Sequence, residues 1–242
     1  MERQYTLFIR HESGMPKLVT TAHWTFDDLK GRPFALVAHI PYNAKPNGLP
    51  QDGQLNEAIA IEDEIIKSLQ PYNALHMGHI TYNGSLRAIF HASEPSPQTL
   101  TIRKGLFGKI TVPIDCREDR ELTLIDLELK PTPLEAEESR NRQLLQLLAS
   151  KGDIASKPRP VDFAAKFPSA DKREAFVSAV AAEGYLPSPK PYWEPGPGSF
   201  WCELVKTTTL EPNVIGHACL YLREQARSVG GEFDGWQTSI MP

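Results

Sequence analysis

The chain has 242 residues, 26 Lys plus Arg against 30 Asp plus Glu, 40% hydrophobic residues and three cysteines. At roughly 100 to 200 residues per domain, that length allows one large domain or two small ones able to bury cores without metal or disulfide staples, which excludes collagen-like, disordered and disulfide-framework classes. A polar start at Glu2 to Gln4, no run near the ~18 apolar residues of a membrane span, and cysteines without a CxxC pair point to a cytoplasmic protein with no membrane attachment.

In chain order, the alternating runs Gln4 to Arg10 and Leu18 to Thr25 read as an amino-terminal hairpin. A strand from Phe34 to Tyr42, a helix from Leu55 to Leu69, and strands His76 to Tyr82 and Leu86 to Ala92 around Asn83-Gly84 follow. Ser96 and Pro97 start a short helix, Lys109 to Cys116 alternates as a strand, the mixed-charge run Asp115 to Glu121 reads as a solvated connection, and Asp119 to Thr132 joins the two halves. The order after the hairpin is βαββαβ.

Thr132, Pro133 and Glu135 then spell a helix start, with Thr132 as cap, Pro133 in the first turn and Glu135 closing a capping box; Gly152 is the stop. Val161, Phe163, Ala165 and Phe167 alternate as a half-buried strand, and a helix from Ala170 to Glu183 is capped by Ser169. A hairpin of Tyr185 to Trp193 and Phe200 to Thr208 turns at Pro195 to Gly198, with Pro187, Pro189 and Pro191 marking its first strand as an edge. A helix carrying Ile215, Cys219, Leu222 and Ala226, and a last strand from Glu232 to Ile240, complete a second βαββαβ set. The fold class expected is α+β: two tandem ferredoxin-like βαββαβ sandwiches, residues 1–132 with the extra hairpin and residues 133–242, with strand order 4-1-3-2. Split before Pro133, each half carries net charge −2.

No P-loop, GxSxG, GxGxxG or HExxH is present. Cys219 lies on an apolar helix stripe and His217, two residues away, faces elsewhere, so a Cys/His nucleophile is not expected. His39, His79 and His91 fall on three strands of one sheet, but His76 and His79, at i and i+3 in a strand, point to opposite faces, and no metal or other cofactor is expected. Glu62 lies inside the apolar stripe of its helix, where a carboxylate needs partners, and is expected to be a buried structural group held by a strand histidine, an arginine or a backbone N–H. Tyr192, Trp193, Trp201 and Trp236 offer aromatic surface, but without the RNP signature and on a net-negative half they suit a protein partner rather than a nucleic acid. Alternation along the last strand puts Phe233 and Gly235 on one face and Asp234 and Trp236 on the other, so with Phe233 inward Trp236 is expected on the helix-free face.

Residues become more specific than topology in the carboxyl-terminal half. Val161-Asp162-Phe163, Phe167-Pro168, Ala175-Phe176, Glu183-Gly184-Tyr185, Trp201-Cys202 and above all Gly231-Glu232-Phe233-Asp234-Gly235-Trp236 resemble the regulator of ribonuclease E activity B family. The upstream half, with Leu55-Asn56 to Ala60-Ile61-Glu62-Asp63 and His79-Ile80-Thr81, resembles domain-of-unknown-function family 695, which occurs fused to such regulators. The resemblance implies a ferredoxin-like downstream domain and, for the bacterial regulator, binding to the ribonuclease so that RNA cleavage is inhibited.

The resulting expectation is a two-domain, non-enzymatic bacterial protein that works by contact with a protein partner, an endoribonuclease or its RNA-decay machinery, through Trp201, Asp234, Gly235 and Trp236. The alternative is a small-molecule-binding or hydrolytic domain that uses the histidine-bearing upstream sheet and Glu62.

Overall fold

A β-hairpin opens the chain in the computed structural model, which describes residues 4–104, 108–188 and 200–242. The described residues are mixed α and β and divide into two units, Met1–Pro131 and Thr132–Pro242, each with an antiparallel sheet. Among them, no helix is long and apolar enough to cross a membrane.

In the upstream unit, β1 (Tyr5–Glu12) and β2 (Met15–Ala22) pair around Ser13-Gly14, where both φ angles are positive. A single helical turn, α1 (Phe26–Leu29), carries a capping box between Thr25 and Asp28. Next come β3 (Phe34–Pro41), α2 (Gln54–Ser68), and the hairpin β4 (Leu75–Tyr82) with β5 (Ser85–Ala92). Asn83 and Gly84, at φ 44° and 81°, make its turn in the left-handed backbone region, which suits the right-handed twist of the flanking strands. The expected N-terminal hairpin extends the sheet, because β2 pairs with β4.

One element differs in kind from its expectation. After Ser96 and Pro97 there is no helix but a strand, β6 (Thr99–Lys104), which pairs with β7 (Gly108–Glu118). Leu100 packs against the core and Ile102 is buried in it, while their neighbours alternate outward, and this period of two outweighs the cap-like Ser-Pro. The sheet order is β1-β2-β4-β5-β3-β7-β6, and the second crossover helix of a βαββαβ set is therefore replaced by a strand in this half.

Both faces of this sheet are covered. On one, Leu36, Ala38, Ile40, Leu86, Ala88, Phe90, Val112 and Ile114 bury against Ala58, Ile61, Ile65 and Leu69 of α2 and its end. On the other, Phe8, Val19, Met77, Ile80 and Ile89 meet Leu29, Leu124, Ile125 and Leu129. The last two lie in a π-helical turn, Ile125–Leu129, so the stretch expected only to join the two halves also packs against the sheet. Charged groups hold it there: the Arg10 guanidinium donates to the carbonyls of Leu127, Glu128 and Lys130, and Lys17 and Arg87 both reach the Glu128 carboxylate.

The downstream unit begins with α3 (Pro133–Ser150), whose Thr132 and Glu135 form the reciprocal capping box read from the sequence. Then follow β8 (Arg159–Phe167), α4 (Ala170–Ala181), the two-residue β9 (Leu186–Pro187), β10 (Phe200–Thr208), α5 (Pro212–Ser228) and β11 (Glu232–Thr238). The sheet order β11-β8-β10-β9 is 4-1-3-2 in chain order after α3, with Pro187 on an edge strand. Pro189, Pro191, Tyr192, Trp193 and the turn Pro195 to Gly198 lie outside the described residues. Val161, Phe163, Ala165 and Phe167 face Phe176, Val180, Ile215, Cys219, Leu222 and Ala226, leaving the opposite face of the sheet free of these helices. On α5, Arg223 pairs with Glu137 of α3, while Asn141 of α3 donates to the Cys219 thiol across 3.6 Å.

Candidate functional site

On the helix-free face of the downstream sheet, the register sets Ala164 of β8 between Glu203 of β10 and Gly235 of β11. Two small residues side by side leave a hollow, and a groove of about 370 Å³ runs there. Trp201 and Glu203 stand on one side, Asp162 lies along the floor, and Asp234 and Gln237 stand on the other. Three carboxylates and the Trp201 indole thus border an open depression, whose lining also includes Trp236. A Cβ added at Gly235 would meet nothing within 4 Å, so the depression reaches its backbone directly.

Trp201, Asp234, Gly235 and Trp236 all contribute to the lining, but the last strand departs from strict alternation: Gly235, expected on the face of Phe233, lies on the groove side, and the Trp236 ring, expected on the helix-free face, is turned the other way. Between Phe233 and Gly235 the pairing with β8 slips by one, from Phe233 opposite Ala165 to Gly235 opposite Ala164, and Asp234 is the extra residue of a β-bulge. The slip inverts the alternation, so Trp236 pairs with Phe163 and turns inward with it. Its Nε1 donates to Asn141 Oδ1 at 2.9 Å, and its ring packs on the core. Gly235, at φ 145°, supplies the backbone conformation the bulge requires.

The upstream unit uses the same device. In β4, His76 pairs with Phe90 and Gly78 with Ile89, so Met77 is an extra residue and Gly78 sits at φ 143°. The slip turns His76 and His79 to the same face, contrary to the strict alternation expected of them, and both reach Glu62 on α2. His76 Nε2 lies 2.9 Å from Glu62 Oε1, and His79 Nδ1 lies 2.9 Å from Oε2 and 3.0 Å from Oε1. Tyr5 Oη is 3.3 Å from the other nitrogen of His76, whose ring rests on Phe90 with centroids 5.1 Å apart. Glu62 as a residue is 3% exposed, as the helix phase demands. Burial pushes its pKa upward, but the hydrogen bonds from His76 and His79 and their charge outweigh that and hold it at about 2.

A lone glycine inside a strand pattern is the signal that could have located both slips, since it marks either a bulge or close backbone approach. Gly78 answers to both, because a Cβ there would lie 2.1 Å from the Thr20 carbonyl oxygen.

The remaining chemistry is quiet. Burial pushes the Cys202 and Cys219 thiols up to about 12, so neither supplies a thiolate near neutral pH. A second hollow of about 540 Å³ beside α1 is bordered by Lys30, Arg32 and Arg120, but Arg32 is engaged by Asn73 and the Asp28 carbonyl, and Arg120 by Glu118.

Residues 6–123 match the model of a family of unknown function (DUF695), and residues 138–238 match the model of the family "Regulator of ribonuclease activity B". The two matches follow one another in the order that the residues suggested. No curated protein matches it.

Proposed function

We propose that this chain is a non-enzymatic bacterial regulator of the cytoplasm that binds an endoribonuclease directly and lowers its cleavage of RNA. The downstream half is read as a ferredoxin-like sandwich, residues 133–242, and residues 1–132 as an accessory domain fused to it. The family match of residues 138–238 supports a regulatory role. The observation that supports the mode is the groove over Ala164 and Gly235, bordered by Asp162, Glu203, Asp234 and Trp201. Carboxylates on both sides repel a phosphate backbone and attract a Lys- or Arg-bearing protein segment, and an indole on the wall offers a cation–π seat to such a side chain. The occupant is therefore a basic segment of the ribonuclease rather than its RNA.

The test is a cleavage assay in which the full chain is titrated into a purified ribonuclease of the ribonuclease E type acting on a single-stranded RNA, with complex formation followed by calorimetry. Cleavage is expected to fall as the complex forms. Trp201→Ala should weaken the complex by about 30-fold, the scale of a hot-spot side chain, and Glu203→Lys should weaken it with a marked salt dependence. Unchanged cleavage with no complex, or binding of labelled RNA by the chain alone, would refute the proposal.

A further inference from the structure

We propose that Glu62, His76 and His79 form a binding site for one divalent transition-metal ion, zinc foremost. Their ligand atoms, one carboxylate oxygen and two imidazole nitrogens, all lie within 4.8 Å of one another. The nitrogens approach the carboxylate at 2.9–3.0 Å, positions now bridged by N–H protons. An ion about 2.0 to 2.2 Å from each donor would replace those protons with only a small outward movement of the rings.

Three features separate this cluster from a buried acid that is merely satisfied. The first is how it is assembled. One histidine donor and a backbone group would suffice to hold a carboxylate, yet the chain brings two histidines onto one face by means of the Met77–Gly78 bulge. That bulge fits only a residue without a Cβ, given the contact with the Thr20 carbonyl and a φ of 143°. The second is Tyr5. With His76 Nε2 bound to metal, its Nδ1–H donates to the Tyr5 oxygen, which fixes the tautomer and ring orientation as an outer partner does at histidine metal sites. The third is access. The His76 and Glu62 side chains are 6% and 5% exposed, but that of His79 is 14%, so the site is closed by protein except beside His79. Water would complete the coordination there. Two imidazoles, one carboxylate and an open fourth position suit zinc better than the oxygen-seeking magnesium or calcium.

This inference concerns the upstream half and stands apart from the ribonuclease reading. The test uses the full chain, stripped with chelator and titrated with zinc chloride alone in a calorimeter and in competition with a chromophoric chelator. One equivalent is expected to bind, and cobalt in its place should give the intense visible absorption of a four-coordinate ion. His79→Ala and His76→Ala should each weaken binding at least ~100-fold, exceeding the usual loss of an outer partner. Tyr5→Phe should weaken it by about 10-fold. His79→Gln, which keeps a polar group of similar reach, guards against failure to fold, with far-ultraviolet circular dichroism as the check. His23→Ala, which removes an imidazole bonded to Thr6 rather than to Glu62, should leave the affinity unchanged. Absence of binding by the folded wild type, or equal affinity in wild type and His79→Gln, would overturn the proposal.

Discussion

Trp236→Ala tests whether the bulge at Asp234 governs the role of the last strand. The ring is half-buried against the downstream core and donates to Asn141 Oδ1, an acceptor on a side chain that is itself buried. Truncating a fully buried tryptophan costs about 3 to 5 kcal/mol, so the half-buried ring accounts for about 2. The hydrogen bond adds about 1 more, giving ~3 kcal/mol in all. Trp236→Phe keeps most of the packing but leaves Asn141 without its donor, and should cost about 1 to 2 kcal/mol. In a double-mutant cycle with Asn141→Leu, the coupling should be about 1 kcal/mol and stabilising in the wild type. The assay is urea denaturation of the full chain followed by tryptophan fluorescence and circular dichroism, beside Trp201→Ala, whose larger effect should be on capture of the ribonuclease. If Trp236→Ala left the midpoint in place and instead abolished capture, the ring would face the groove, and the register shift would be wrong.

The other expectations concern the same structural devices. Gly78→Ala and Gly235→Ala remove glycines of nearly equal φ, but only the first new Cβ meets backbone, at 2.1 Å; the first should cost more than ~3 kcal/mol and the second about 1 to 2, by chemical denaturation. With metal chelated, Glu62→Ala should cost about 3 to 5 kcal/mol because it strands two imidazole donors, whereas Glu62→Gln, which keeps the shape and one acceptor, should cost less; equal midpoints for all three proteins would place Glu62 in solvent. Fragments 1–132 and 133–242 should each retain secondary structure by circular dichroism, and random coil from both would refute independent folding. His91 is fully buried, donates through Nδ1 to the Arg32 carbonyl, and is held below its ordinary pKa by burial. The unfolded chain therefore takes up the proton first, so stability is complete above the ordinary imidazole range and falls as pH drops through it. His91→Leu should flatten that part of the stability-pH curve, and an unchanged slope would show that His91 is not the group responsible.

Local rules carried far in this chain. The capping box at Thr132, the phase of the helix that buries Glu62, the Asn83-Gly84 turn and the edge position of Pro187 each depend on a few neighbouring residues, and each is found as read. What escaped depends on pairing partners rather than on a cap or turn signal. The strand Thr99–Lys104 forms because β7 offers a ladder to it, and the turn Ile125–Leu129 is held by Arg10, Lys17 and Arg87 from remote strands. For Glu62, the demand for a partner was legible from its helix. The identity of the pair was not, because strict alternation sends His76 and His79 apart.

The two bulges follow one physical logic with opposite results. An extra residue in a strand shifts every later side chain to the other face, so its consequence is set by what stands on each side of the slip. At Met77 the slip sends an apolar side chain into the core on one face and gathers two histidines with Glu62 on the other. At Asp234 it sends a carboxylate to the groove edge and draws Trp236 away toward Asn141. A residue with no side chain then remains on the groove floor, where a bulky one would have filled the hollow. The indole of Trp201, level with Lys166 of β8, and the Asp234 carboxylate then border the groove from β10 and β11. A cationic side chain entering between them would meet π-density on one side and a carboxylate on the other. If the groove binds a basic segment as proposed, Asp234→Asn in the wild-type background should accordingly weaken partner binding and reduce its salt dependence while leaving the denaturation midpoint in place, since the residue is exposed and outside the core.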